Sequence, residues 1–164
     1  MKKLTLLLVT VAIAAVTFGQ EKTKVKKVAT NVSLGVTGGR MSGDISDTHA
    51  YALGGIAQII FSPDSSNFSY TITSGTLTFN AKEGAENFKQ VPLLVGFRYH
   101  YDVCYSGFAA GLSFFDNGRG NQFTYSLLMG LKLSKGINID GRYLLASKEH
   151  KNIATFNVTL AFVL

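Results

Sequence analysis

Arg98, Lys132, Asp140 and Arg142 are the charged residues whose spacing along the chain would gather them on one side of a folded sheet. One carboxylate against three cations is the composition of a buried ion-pair network. His100 stands two residues from Arg98 and shares its side, which suits it to hydrogen bonding in the same interior. A second set, Ser42, Asp44, Asp47 and His49, shares one stretch, and His150 lies in a later one. Serine, histidine and carboxylate are the types from which a nucleophile, its base and an orienting acid are drawn. A segment rich in Ser, Asp and Gly is also what a solvated turn looks like, and that is the reading adopted, so no catalysis is expected. Cys104, the only cysteine, excludes an internal disulfide and reads as an apolar filler near a strand end. No metal-ligand spacing or nucleotide loop is present, and no cofactor is expected.

The elements that must position these residues have a period of two. In residues 91–101, Val91, Leu93, Val95, Phe97, Tyr99 and Tyr101 alternate with Pro92, Leu94, Gly96, Arg98 and His100, so the two faces of a β-strand meet different media. Similar alternation predicts strands over residues 28–37, 51–61, 67–79, 104–115, 123–133, 137–146 and 156–164. Residues 67–79 fit least well. Their apolar phase switches from Phe68, Tyr70 and Ile72 to Leu77 and Phe79, which a β-bulge near Ser74 and Gly75 or a misread register would explain. The short connections 62–66, 102–103 and 134–136 alternate with the longer or more polar 38–50, 80–90, 116–122 and 147–152. Pairing Leu133 with Ile137 across the 134–136 turn would set Lys132 against Asn138 and Gly130 against Asp140, which places Lys132 and Asp140 on a diagonal.

Residues 1–19 read as a secretory signal peptide: Lys2 and Lys3, the apolar run 4–16, then Thr17, Phe18 and Gly19 before the polar Gln20. Residues 20–27 form a basic leader, and 28–164 a single domain. The sequence has a net charge of +6, but its basic residues are divided among termini, turns and interior. No stripe suited to a nucleic-acid backbone results, so nucleic acid is excluded as a partner.

The side chains decide which medium each face meets. A soluble barrel is apolar inside and polar outside. Here the large apolar face carries no charge in most strands, while Arg98, Lys132, Asp140 and Arg142 share the opposite face with small residues such as Gly96, Gly107, Gly111 and Gly130. That pattern fits a narrow polar lumen inside an apolar exterior. Aromatics would mark the two rims, with Tyr99, Tyr101 and Tyr105 at one and Tyr51, Phe114, Phe123, Tyr125 and Phe156 at the other. The fold class expected is all-β, an eight-stranded antiparallel up-and-down transmembrane barrel.

Two segments resemble a known family. The run from Gln90 to Tyr99, with Val91-Pro92-Leu93-Leu94-Val95-Gly96 at its centre, looks like the "(I/V)-P-L-L-x-(G/K)" strand of small outer-membrane β-barrel domains of Gram-negative bacteria. Gly130-Leu131-Lys132-Leu133 before the 134–136 turn, and Gly141-Arg142-Tyr143 after it, are similar to the same family. Residues 156–164 resemble the C-terminal assembly signal of such barrels, with Asn157, Phe162 and Leu164 on matching positions and Thr159 where glycine is usual. The resemblance implies an outer-membrane location, contact with outer-membrane lipid and lipopolysaccharide, and delivery by the barrel assembly machinery. It implies no single activity. The expected function is that of a structural or surface-interaction barrel with a closed polar lumen, any specificity lying in residues 38–50 and 80–90 toward an extracellular partner that the residues do not identify. Two alternatives remain, a binding protein for a small hydrophobic ligand and a lipid-modifying outer-membrane enzyme.

Overall fold

A computed structural model describes residues 28–43, 45–116, 118, 120–148 and 151–164. The expected signal peptide and leader, Asp44 and His150 lie outside the described residues. Eight strands follow in order: β1 (Val28–Gly43), β2 (His49–Pro63), β3 (Phe68–Ala81), β4 (Phe88–Tyr101), β5 (Cys104–Phe115), β6 (Gly120–Ser134), β7 (Ile137–Lys148) and β8 (Lys151–Val163). Each pairs antiparallel with its neighbours, and β8 returns to β1 to close the barrel.

The alternation read from the sequence sets the two faces. Val91, Leu93, Val95, Phe97, Tyr99 and Tyr101 on β4 are exposed on the exterior, whereas Pro92, Leu94 and Arg98 are buried in the lumen. The same outward apolar row runs through Leu34 and Val36 on β1, Leu127 and Met129 on β6, and Val158, Leu160 and Phe162 on β8. Among the described strand residues the outward-facing charges are Arg40 and Lys89, both close to the end that carries the β1–β2 and β3–β4 connections. An exterior this apolar is unstable in water and suited to lipid. In lipid, closure also leaves no strand edge with unpaired backbone groups.

The ends differ from expectation. Strands continue through much of what composition marked as loop, so the connections on one end shrink to residues 44–48, 82–87, 116–119 and 149–150. Opposite them, at the turn end, residues 64–67, 102–103 and 135–136 close tight hairpins. Three glycines and a serine in residues 38–43 signalled a loop, yet cross-strand pairing to β2 and β8 carries β1 through them. At the β4–β5 hairpin Asp102 takes a left-handed φ of 54°, a conformation that aspartate tolerates better than most residues. The β6–β7 turn also differs. Ser134 rather than Leu133 stands opposite Ile137 across a register shift, while Lys132 opposes Asn138 and Gly130 opposes Asp140 as expected.

β3 contains no bulge near Ser74. Its pairing with β2 runs without a break from Tyr51↔Asn80 to Phe61↔Tyr70, and its register with β4 is the same on either side of that position. Leu77 and Phe79 are therefore on the same inward face as Ser69, Thr71 and Thr73, and both are 0% exposed. What reads in sequence as a change of phase is a change in what fills the lumen.

Candidate functional site

The lumen has two halves. Toward the turn end it is polar and is organised around Arg98. Its Nη2 donates to Gln58 Oε1 on β2, and Gln58 Nε2 donates to Thr73 Oγ1 on β3 at 2.8 Å. The guanidinium carbon lies 4.8 Å from the centre of the Tyr105 ring, a favourable position for a cation over an aromatic face. The Tyr105 hydroxyl donates to Asp140 Oδ2 at 3.2 Å, and Asp140 Oδ1 accepts from Arg142 Nη2 at 3.4 Å. The chain Gln58–Arg98–Tyr105–Asp140–Arg142 thus links β2, β4, β5 and β7.

Two glycines make this chain possible. Gly130 faces Tyr105 across the β5–β6 ladder, and a Cβ there would come within 2.3 Å of the tyrosine ring. Gly107 pairs with Arg98, and a Cβ on it would lie 3.1 Å from the arginine Cγ. With no side chain at Gly130, the Tyr105 ring crosses β6 and reaches Asp140, which pairs with Gly130 from the other side.

Several sequence expectations need correction here. Tyr105 is not an exterior rim aromatic: it is 3% exposed and faces inward, as the alternation of its own strand with Gly107 requires. Lys132 is exposed at the turn-end mouth, and the only ion pair among the described residues joins Arg142 to Asp140. Arg98 has no carboxylate partner among them and relies on Gln58, which sequence reasoning did not single out. His100 is half-buried, with Nε2 3.0 Å from Ser69 Oγ, itself 2.8 Å from Ser62 Oγ. Cys104 is exposed rather than packed as a filler. Asn157 is buried in the lumen, where its Nδ2 donates to Thr155 Oγ1 at 2.8 Å, whereas Phe162 and Leu164 are exposed on the exterior.

Toward the loop end the lumen turns apolar, so it is not polar throughout. Above a bridge in which Gln90 Nε2 and Thr124 Oγ1 both donate to Ser113 Oγ, at 2.8 and 2.7 Å, lies a cluster that includes Leu77, Phe79, Phe88, Phe115, Leu144 and Ile153. Phe79 and Phe88 stack with centroids 4.4 Å apart, and Phe115 lies 6.0 Å from Phe88. His49 packs edge-on against Phe88 at 4.8 Å. Its Nε2 donates to the Glu86 carbonyl at 3.1 Å and its Nδ1 lies 2.8 Å from Thr48 Oγ1. Both ring nitrogens therefore tie connecting segments onto the cluster, while Ser42 and Asp47 are exposed. Truncating Phe88 to alanine should destabilise the barrel by about 3–5 kcal/mol through the cavity it leaves. Urea titration of detergent-folded protein followed by tyrosine fluorescence measures this, and a change below about 1 kcal/mol would mean that the cluster bears little of the stability.

Comparison with known proteins places this geometry. No protein-family model matches the sequence, and no curated protein matches it. Among solved structures, the outer-membrane protein Ail of Yersinia pestis in a phospholipid nanodisc superposes with a TM-score of 0.59 at 11% identity, over 84% of this chain and 100% of Ail. The fold is that of a small outer-membrane barrel. Neisserial surface protein A gives a TM-score of 0.58 at 13% identity, over 84% of this chain and 98% of that one. Ail in complex with the heparin analogue sucrose octasulfate gives 0.54 at 12% identity, over 82% and 97%. Sequence identities this low carry the architecture and not the chemistry of the surface.

Proposed function

We propose that the protein is a Gram-negative outer-membrane barrel with a closed lumen, serving as a structural or surface-interaction element without catalysis. The observation that carries this reading is the filling of the lumen beneath an apolar exterior. An eight-stranded interior is only wide enough for side chains, and here a polar lattice occupies one half and an aromatic cluster the other. On this reading the exterior row meets outer-membrane lipid and lipopolysaccharide, the turn end faces the periplasm, and the barrel assembly machinery recognises β8.

The loop end is then the surface offered to an extracellular partner. It is compact: Lys82 donates from its backbone N–H to the Thr48 carbonyl and from Nζ to the Ser46 carbonyl, both at 2.8 Å. Among the described residues the exposed charges there are Asp47, Glu83, Glu86 and Asp116 beside Arg40, Lys82 and Lys89. Ail has been captured with a sulfated sugar; the mixed charge here favours a partner surface carrying both signs.

Fractionation and bilayer recording test the reading. The protein should sediment with outer membranes and require detergent for release, and it should give no steady conductance in planar bilayers. A freely soluble periplasmic protein would remove the membrane assignment, and porin-like conductance would remove the closed lumen.

A further inference from the structure

At the turn end the lumen opens into a vestibule of about 520 Å³, lined by Arg98, His100, Lys132 and Lys135 and by Asn and Ser side chains, with Asp102 the only carboxylate side chain among the described residues that line it. Arg98 forms its inner wall and is 2% exposed. Burying a guanidinium without a counter-charge is costly. The nearest lumen carboxylate, Asp140, is engaged by Arg142 and Tyr105, which leaves Arg98 a neutral amide and a ring face. Among the described residues its buried Nε finds no hydrogen-bond partner, and neither does the buried Nδ1 of His100. Lys132 and Lys135 are exposed at the mouth of the same hollow. Convergent cations, one of them a guanidinium with no carboxylate partner, and neutral hydroxyl and amide donors are the requirements of an oxyanion site.

We propose that this vestibule binds a phosphate-class oxyanion, with Arg98 at its base and Lys132 and Lys135 at its rim. The anion supplies the counter-charge that the lumen lacks. Gln58 takes Nη2 and the Tyr105 ring lies against the guanidinium carbon, so the charge of Arg98 is met by neutral groups alone among the described residues. The site is separate from the loop-end surface and does not depend on what binds there. Two sources share this chemistry: free inorganic phosphate, and the phosphodiester of a phospholipid headgroup in the leaflet that surrounds the turn end.

The full barrel, folded in uncharged detergent without phosphate, should bind inorganic phosphate saturably by calorimetry. Lys132→Gln and Lys135→Gln, both at exposed positions where folding is spared, should each weaken binding by about tenfold, the equivalent of one lost charge-assisted contact. Lys82→Gln at the opposite end should leave it unchanged. If short-chain phosphatidylglycerol below its micellar concentration displaces phosphate, the headgroup is the source; if phosphate binds and the lipid does not compete, the free anion is. The proposal is overturned if neither ligand binds saturably, or if both rim variants bind as the parent does.

Discussion

Asp140→Asn should lower the stability of the folded barrel by about 3–5 kcal/mol, because it breaks a buried ion pair from one side only. Asp140 is 2% exposed, and it is the carboxylate that answers both the Arg142 guanidinium and the Tyr105 hydroxyl. An asparagine could still accept from Tyr105, so the cost falls on Arg142, left as a second uncompensated lumen cation beside Arg98. The Arg142–Asp140 contact is long at 3.4 Å, and water entering from the vestibule would moderate the loss. Urea-unfolding midpoints in detergent give the measurement, and a double-mutant cycle with Arg142→Gln isolates the pair. If Asp140→Asn costs the same whether Arg142 is present or not, the ion pair is not the reason that Asp140 matters. Tyr105→Phe should cost less, about 1.5–3 kcal/mol, since it removes one hydrogen bond to a charged group.

The lumen explains what could and could not be read beforehand. Lipid favours apolar side chains along the outward face away from the rims, so strands such as β4 and β5 announce their faces through alternation. The lumen makes no comparable demand. Any side chain that fills it serves, which is why Leu77 and Phe79 could stand inward and imitate a change of register. The ion pair between Arg142 and Asp140 was within reach of sequence, because the two are i and i+2 on one strand. Arg98 with Gln58 was not: the two are 40 residues apart on strands separated by β3, and only closure and stagger bring them together. Tyr105 was misplaced by its type, an aromatic near a strand end, although its own strand's phase pointed inward. Gly130 makes that inward position possible, and a glycine carries no label for what will lie over it. Composition likewise could not show that residues 38–43 continue as strand, since glycine and serine serve a turn and a close cross-strand approach equally.

Deleting Phe162, Val163 and Leu164 should abolish stable assembly, the largest effect expected of any change considered. These residues close the turn end of the seam. Phe162 stands between Leu34 on β1 and Ile137 on β7, with its side chain 50% exposed on the exterior. Val163 donates its backbone N–H to the Gly136 carbonyl and Leu164 donates to the Val32 carbonyl, each at 2.8 Å. Without them, Val32 and Gly136 lose their backbone partners, Leu34 and Ile137 lose a neighbour, and the end of the seam opens between β1 and β7. The open edge also offers a template for pairing with other chains. The resemblance of residues 156–164 to an assembly signal points the same way, with Phe162 and Leu164 displayed outward where a receptor can reach them. In cells the truncated chain should be degraded or held in the periplasm, and in detergent gels it should migrate identically whether boiled or not, while the parent shifts. Phe162→Leu separates the two causes: it keeps the backbone pairing and an apolar outward side chain but removes the aromatic. If it assembles normally while the deletion fails, closure of the seam is what the segment supplies; if it fails as well, recognition of the aromatic is. Normal outer-membrane levels of the truncated chain would refute both.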